Sequence, residues 1–236
     1  PTDLGQTPAD LVVLSLSDSD LGAFAEGWHA GGGPDGKLPT LRLANIAALK
    51  HPLSVDTYVE QTLSDAKGIL IRLIGGVSYW SYGLQQVHRI AIERGIALAV
   101  LPADGRADDQ LEAFSTLPAS TLKQLKTLCD KGGATAAQAA LAQMALAAGL
   151  YAGPVPGLKG VPLVGAWSPK GGVSLELPKP DGDDCPRILI SFYRSFLVAA
   201  DTRAITALFE AFEAKGFAVA AVFAASLKSP PAAKWL

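Results

Sequence analysis

Four short, predominantly apolar runs in the first half of the sequence limit the folds open to this chain more than any other feature. Each run is apolar at consecutive rather than alternate positions, which is typical of strands buried on both faces. Stretches with helical signals separate the runs, and this alternation predicts βαβ units and a parallel sheet. The predicted strands are Leu11–Ser17, Thr40–Ile46, Gly68–Ile74 and Ile96–Asp104.

The predicted fold class is therefore α/β, with a flavodoxin- or Rossmann-like parallel-sheet domain and C-terminal helices in residues 1–152. Residues 153–186 are rich in proline and glycine, which predicts a linker. Residues 187–236 contain a strand, an amphipathic helix that ends at a glycine, and a second strand. One βαβ unit is too small to bury a core of its own. We therefore expect this part to be the truncated beginning of a second α/β domain.

The composition is that of a globular protein, with 49% hydrophobic and 18% charged residues. Twenty basic residues against 22 acidic ones give a net charge of -2. That balance lacks the basic excess needed to bind a phosphate backbone, so no nucleic-acid partner is expected. The two cysteines, Cys129 and Cys185, form neither a disulfide framework nor a metal motif. Their sparse use favours a reduced, cytoplasmic protein.

An uncharged stretch between Lys131 and Lys159 is about as long as a membrane-spanning helix. Its apolar residues are mostly alanine, and Gln138 and Gln143 lie inside it, so we predict a buried helix and no membrane partner. The three histidines have no metal-ligand spacing, the double glycine at Gly75 and Gly76 does not form a G-x-G-x-x-G motif, and no G-K-[ST] string occurs. We therefore expect the chain itself to bind no metal and no nucleotide.

The end of the third predicted strand has an unusual composition. Gly75 and Gly76 are followed within a few residues by Tyr79, Trp80 and Tyr82. In open parallel sheets, ligands bind at the carboxyl ends of the strands. Glycines let the backbone turn sharply there, and flat aromatic side chains can line a broad apolar cleft. The same aromatic residues can instead simply cover the sheet edge, and the sequence leaves both interpretations open.

Charged and polar residues in or just after other predicted strands complete a set of candidate substrate-binding residues. Arginine is included because its guanidinium group binds carboxylates through paired hydrogen bonds. No catalytic residue can be named from the sequence. The candidates are Arg72, Gly75, Gly76, Tyr79, Trp80, Tyr82, Asp104, Arg106, Tyr193 and Arg194.

Six sequence strings, in order along most of the chain, resemble one known family. They are DLGQTPADLVVLSLSDSDL, LRLANIAALKHPLSVDTYVEQTL, IRLIGGVSYWSYGLQQ, ALAVLPADGRADDQLEAFST, ISFYRS and AVFAASLKSP. Together they resemble the CobN-type large subunit of aerobic, ATP-dependent cobaltochelatase, which is related to the porphyrin-binding H subunit of magnesium chelatase. That subunit is much longer, and this chain begins with Pro1. We therefore expect the chain to be its N-terminal portion, cut at both ends.

The resemblance implies insertion of cobalt into hydrogenobyrinic acid a,c-diamide during cobalamin biosynthesis, a ligase reaction that forms nitrogen–metal bonds. Cobalt would be a substrate of the full subunit. ATP hydrolysis, with its Mg²⁺, would belong to CobS- and CobT-type partner subunits of a multisubunit complex, the former an AAA+ motor. The isolated chain is expected to be inactive. Aromatic faces and arginines suit a large flat corrin ring that carries carboxylates and amides.

Three roles for the chain remain open at the level of sequence. It can form part of the tetrapyrrole cleft of the chelatase. It can be a docking module that recognises the AAA+ motor subunits. If the resemblance is set aside, it can be a stand-alone, flavodoxin-like domain with a ligand-binding or regulatory role.

Overall fold

The computed structural model divides the chain into two compact units, Pro1–Lys159 and Gly160–Leu236. Each unit has one four-stranded sheet among its described residues. Part of the predicted linker, residues 154–160 and 178–184, lies outside the described residues. The structure describes residues 1–36, 38–153, 161–177, 185–199, 201–228 and 230–235.

The sheet of the first unit is entirely parallel, with the strand order β2-β1-β3-β4. Strands β1, β3 and β4 are buried along their whole length, because helices cover both faces. The four predicted strands are confirmed with slightly shorter ends, and so is the α/β class. The strands are β1 (Leu11–Ser15), β2 (Leu41–Asn45), β3 (Gly68–Leu73) and β4 (Ala97–Pro102).

Helices pack on both sides of this sheet. Helices α1, α5 and α6 bury their apolar residues against one face, and α2, α3 and α4 bury theirs against the other. Because successive residues of a strand point to opposite faces, each strand supplies both cores. The helices are α1 (Asp18–Ala30), α2 (Pro52–Tyr58), α3 (Ser81–Arg94), α4 (Asp109–Glu112), α5 (Ala119–Lys131) and α6 (Ala134–Ala147).

The alanine-rich segment forms α6, which is buried as predicted. It crosses α1 very closely at Gly27, where an added Cβ would lie 2.6 Å from the carbonyl oxygen of Ala134. Small side chains are therefore required on both helices at the crossing. Among the residues that the structure describes, no helix has the length and apolar character needed to cross a membrane.

The outer edge of β4 is closed by a short segment that follows α4. The Thr116 hydroxyl accepts a hydrogen bond from the Leu98 N–H at 2.8 Å, and the Ser115 hydroxyl accepts one from the Val100 N–H at 2.9 Å. The Thr116 N–H in turn donates to the Leu98 carbonyl at 2.9 Å. These bonds occupy edge groups that would otherwise be free to pair with another strand.

The second unit has a mixed sheet with the order β6-β5-β8-β7. Strands β7 and β8 are parallel and are connected through helix α8, whereas β5 pairs antiparallel with both β6 and β8. The elements are β5 (Val164–Ser168), β6 (Gly172–Ser174), β7 (Arg187–Tyr193), α7 (Arg194–Val198), α8 (Arg203–Glu213), β8 (Ala218–Ala224) and α9 (Pro230–Trp235).

The prediction of a linker over residues 153–186 is wrong where the structure describes that region, because β5 and β6 lie within it. Trp167 of β5 is buried and packs edge-on against Phe192 of β7, with ring centroids 6.0 Å apart. At the turn between β5 and β6, the Gly171 N–H donates to the Ser168 hydroxyl at 3.0 Å. Glycine and proline here mark a hairpin turn between short strands, and the second unit is therefore more than one βαβ unit.

Candidate substrate cleft

The double glycine after β3 has the backbone geometry expected from the sequence. Gly75 has φ 88° and Gly76 has φ 76°, in the region that side chains strain. A Cβ on Gly75 would lie 2.9 Å from Cδ2 of the Tyr79 ring, and one on Gly76 would lie 3.2 Å from the Asp108 carboxylate. The glycines thus allow the chain to leave the sheet sharply at its carboxyl edge.

An open cleft of about 440 Å³ lies beside this turn. Tyr79 is 57% exposed and Tyr82 is 37% exposed, so both rings remain partly accessible. Lys50, which is exposed, is the cation of the cleft. We call this site the aromatic cleft, and its lining residues are Lys50, Val55, Ser78, Tyr79, Trp80, Ser81, Tyr82 and Gly83.

The hydroxyl of Tyr82 is held by a carboxylate on the neighbouring helix. It donates a hydrogen bond of 2.8 Å to Oδ1 of Asp56 in α2. This hydrogen bond is the main cause of a raised pKa for Tyr82, with burial and the negative charge of Asp56 acting in the same direction. The phenol therefore stays protonated and its ring has a defined position at the cleft.

Trp80 supports the cleft from within the protein. Its side chain is 6% exposed, and its indole N–H donates to the Leu49 carbonyl at 2.9 Å. The ring lies against Gly83, where an added Cβ would be only 2.0 Å from the ring atom Cε2. Of the two interpretations left open by the sequence, packing applies to Trp80, whose ring face is not offered to a ligand.

Arg72 does not reach the aromatic cleft, which corrects its selection as a substrate-binding residue. It is 3% exposed, and its Nη1 lies 3.1 Å from the Pro102 carbonyl oxygen and 3.4 Å from Oδ1 of Asp130. Its Nε lies 3.2 Å from Asp20. Burial lowers the pKa of Arg72, but Cys129 and the two carboxylates outweigh burial and raise it overall.

The reason for this placement is the alternation of side chains along β3. Ile71 and Leu73 point into the core shared with α2 and α3, beneath the aromatic cleft. Arg72, between them, must point to the opposite face, where α1 and α5 supply the acidic residues that surround it.

Asp104 and Arg106 lie in an exposed loop after β4. The Arg106 N–H donates to Oδ1 of Asp104 at 3.1 Å, which fixes the turn between them. The loop shares the carboxyl edge of the sheet with Gly76, but neither side chain lines the aromatic cleft. The sequence correctly predicted that Asp104 and Arg106 lie at the carboxyl edge of the sheet. It did not reveal that they lie outside the aromatic cleft.

Tyr193 and Arg194 belong to the second unit, at the end of β7. Arg194 binds main chain, since its Nε donates to the Pro162 carbonyl and its Nη2 to the Val161 carbonyl, each at 2.8 Å. Burial lowers the pKa of Arg194.

Tyr193 is 65% exposed and borders a groove of about 760 Å³. We call it the apolar groove; it is lined by Ile190, Ser191, Phe192, Tyr193, Phe196, Ala204, Ile205, Leu208, Ala224, Ser226, Leu227 and Lys228.

Sequence reasoning missed Lys50, Ser78 and Ser81 of the aromatic cleft. Lys50 follows the short helical turn after β2, so its place near the carboxyl edge was available as a signal. The two serines flank the aromatic residues directly. Within the described part of the chain, no cluster of three or more histidine, cysteine or acidic side chains could hold a metal ion.

Two curated proteins of the same name match the chain closely. No protein-family model matches the chain. It is 39% identical over 238 residues to the aerobic cobaltochelatase subunit CobN of Sinorhizobium sp, a match that covers 96% of the chain. It is 37% identical over 230 residues to the subunit of the same name from Pseudomonas aeruginosa, covering 95% of the chain. The chain spans 18% of the length of each relative.

A solved structure agrees with these matches at the level of fold. The catalytic subunit of cobaltochelatase from Mycobacterium tuberculosis superposes with a TM-score of 0.65 at 24% identity. The superposition covers 95% of this chain and 17% of that protein. Over nearly its whole length the chain therefore resembles CobN-type cobaltochelatase subunits, and it spans 18% of their length.

Proposed function

We propose that the chain is the N-terminal segment of a cytoplasmic cobaltochelatase large subunit. The subunit would insert Co²⁺ into hydrogenobyrinic acid a,c-diamide in aerobic cobalamin biosynthesis, while CobS- and CobT-type partner subunits hydrolyse ATP. The observation that supports this assignment is identity of 37 to 39% with two CobN subunits over nearly the whole chain.

Within that subunit, we assign to the aromatic cleft a role in holding one side of the corrin ring. Its two accessible tyrosine rings, Tyr79 and Tyr82, can contact the apolar surface of a flat macrocycle. The ammonium group of Lys50 can pair with a peripheral carboxylate. The hydroxyl groups of Ser78 and Ser81 can hydrogen-bond to peripheral amides or carboxylates. This combination of aromatic, cationic and hydroxyl groups matches the chemistry of the ring periphery.

The cleft is open and lies toward the small end of the usual range for ligand pockets. We therefore assign it a share of the ring surface, with the rest of the ring held by parts of the subunit outside this chain. Metal insertion exchanges protons on the ring nitrogens for the metal ion. The contribution expected of these residues is orientation of the ring for that exchange, and no proton transfer is assigned to them.

Titration of the complete subunit with hydrogenobyrinic acid a,c-diamide, followed by intrinsic fluorescence, tests this role. Tyr79→Ala and Lys50→Ala should each weaken binding by about 1–3 kcal/mol, which is about a 5- to 150-fold rise in Kd. Tyr151→Ala is the matched control, because Tyr151 is 80% exposed and does not line the cleft. Unchanged affinity in both cleft variants, with thermal stability preserved, would place the corrin elsewhere.

A second candidate role is docking of the AAA+ motor subunits. The exposed loop after β4 favours it, because Asp104 and Arg106 present opposite charges at the carboxyl edge without lining a cleft. Arg106→Glu should reduce co-purification of the CobS- and CobT-type subunits while leaving corrinoid affinity unchanged. The stand-alone alternative is distinguished by the mass of the native polypeptide, which would then be close to that of this chain.

A further inference from the structure

The outer edge of β7 is open within the described part of the chain. Strand β7 has a single neighbour, β8, and ends the sheet order β6-β5-β8-β7. After Arg187 at its start, the strand contains no proline and no charged residue, which are the usual devices that keep an edge strand from pairing. The edge of β4 in the first unit differs in this respect, because Ser115 and Thr116 occupy its hydrogen-bonding groups.

Among the residues that the structure describes, none covers one face of β7. Ile188, Ile190 and Phe192 point into the core of the second unit. The alternate residues Leu189 and Tyr193 point the other way and are 57% and 65% exposed. Parallel strands in α/β proteins are normally covered on both faces, so this exposure of large apolar side chains indicates a missing partner.

The apolar groove includes the carboxyl half of β7, together with α7, α8 and the end of β8. Ile190 of β7 and Ile205 of α8 form its floor and are buried, whereas Leu208 of α8 and Phe196 of α7 are exposed along it. A strand placed beside β7 would direct alternate side chains into this groove. A single additional strand could therefore pair with the open edge and also fill the groove.

We propose that the outer edge of β7 pairs with a parallel β-strand from the part of the large subunit that lies outside residues 1–236. An adjoining helix of the same part would cover Leu189 and Tyr193. The proposal rests on the proposed function, in which the chain is a segment of a longer subunit, and on relatives of which the chain spans only 18%. A second copy of this chain fits less well. It could pair with the edge, but it would bring an equally uncovered Leu189 and Tyr193 face with it.

Hydrogen exchange measured by mass spectrometry on the complete subunit and on the 236-residue chain tests the proposal. The outward-pointing amides of Ile188–Tyr193 should exchange at least about tenfold more slowly in the complete subunit, because a second strand would protect amides that have no strand partner among the described residues. Amides of residues 97–101 in β4 are the internal control. Their edge is already closed, so their exchange should differ by less than about twofold. Leu189→Lys in the complete subunit should restore fast exchange in β7, and in the short chain it should leave the thermal midpoint unchanged.

Two results would overturn the inference. One is equal exchange of β7 in the complete subunit and the short chain. The other is protection of β7 that appears in the short chain with rising concentration and a dimeric mass, which would identify a second copy as the partner. The corrinoid titration is independent. A subunit that binds the corrinoid but leaves β7 unprotected refutes this inference alone, and one with protected β7 but no corrinoid binding refutes only the proposed function.

Discussion

The guanidinium group of Arg72 lies 3.2 Å from the carboxylate of Asp20, and this contact ties the centre of the sheet to the first helix. Asp20 also accepts a hydrogen bond of 3.1 Å from the Ser15 hydroxyl at the end of β1. Asp130 of α5 approaches the same guanidinium from the other side. Arg72 is the only arginine in the two central strands, β1 and β3. It therefore stabilises the fold and is not presented to a substrate.

Replacement of Arg72 by alanine should destabilise the chain by about 3–5 kcal/mol, because it leaves the carboxylate of Asp20 partly buried without its partner. Urea unfolding followed by circular dichroism measures the change. Arg89→Ala is the matched control. Arg89 pairs with Glu93 on the exposed surface of α3, and such pairs contribute less than about 1 kcal/mol. Equal stability of the two variants would contradict the structural role of Arg72.

Gly83→Ala should destabilise the first unit by about 1–3 kcal/mol, because the added methyl group overlaps the Trp80 ring and forces it to move. The tryptophan emission should shift as the indole loses its hydrogen bond to Leu49. Gln85→Ala, at an exposed position of the same helix, should leave both stability and emission unchanged. If Gly83→Ala is as stable as Gln85→Ala, the close contact with Trp80 does not exist in solution.

Truncation of Trp80 and of Tyr82, two of the three aromatic residues of the cleft, should affect stability very differently. Trp80→Ala should cost about 3–5 kcal/mol of stability, since it empties a buried site. Tyr82→Ala should leave the fold intact, since its ring is partly exposed and loses one surface hydrogen bond. Thermal unfolding of the two variants measures the difference. A larger loss of stability in Tyr82→Ala than in Trp80→Ala would contradict the assignment of Trp80 to the core and of Tyr82 to the cleft surface.

Cys129 should make the fold sensitive to alkaline pH. Burial raises the pKa of its thiol from the ordinary value of 9.0 to about 11, and Arg72 offsets only part of this rise. Between these pH values the unfolded chain has lost the proton while the folded chain keeps it. The free energy of unfolding is therefore highest below pH 9 and should fall by about 1 kcal/mol between pH 9 and pH 10.

Urea unfolding of the chain and of Cys129→Ala at both pH values isolates this contribution. Burial also raises the pKa of Tyr58, but that contribution is common to both proteins. The difference between their pH dependences should therefore belong to the thiol. Identical pH dependence of the two proteins would show that the thiol titrates normally.

Thr116→Val should expose the outer edge of β4. The isosteric change removes the hydroxyl that accepts the Leu98 N–H, and a buried donor without a partner costs about 1–3 kcal/mol. The variant should also associate at lower concentration in light scattering, because an open edge pairs with other chains. Thr127→Val, whose hydroxyl bonds within its own helix, should do neither. Monodisperse behaviour and full stability in Thr116→Val would show that the edge needs no closure.

Several features could be predicted from sequence because their causes are local. Consecutive apolar residues identify β1, β3 and β4, since a strand buried on both faces needs no polar position. The positive φ angles of Gly75 and Gly76 follow from the sharp turn between strand and helix. Gly95 ends α3 in the left-handed conformation, which glycine adopts readily because it has no Cβ. None of these required knowledge of distant parts of the chain.

Other features were decided by residues far away along the chain. Arg72 meets Asp20 and Asp130 across 52 and 58 positions, and Trp80 meets the Leu49 carbonyl across 31. The strand pairing of Val164–Ser168 with Ala218–Ala224 likewise spans the second unit, which is why a stretch rich in proline and glycine was mistaken for a linker.

By itself, then, the sequence determined the strands of the first unit, where that part of the chain turns and which edge of its sheet gathers polar and aromatic groups. Only the tertiary structure decided that Arg72 and Trp80 serve the interior, whereas Lys50, Tyr79 and Tyr82 face a cleft. The physical reason is that periodicity and turn chemistry act over a few residues. Burial and the choice of hydrogen-bond partner depend on which distant segments pack together.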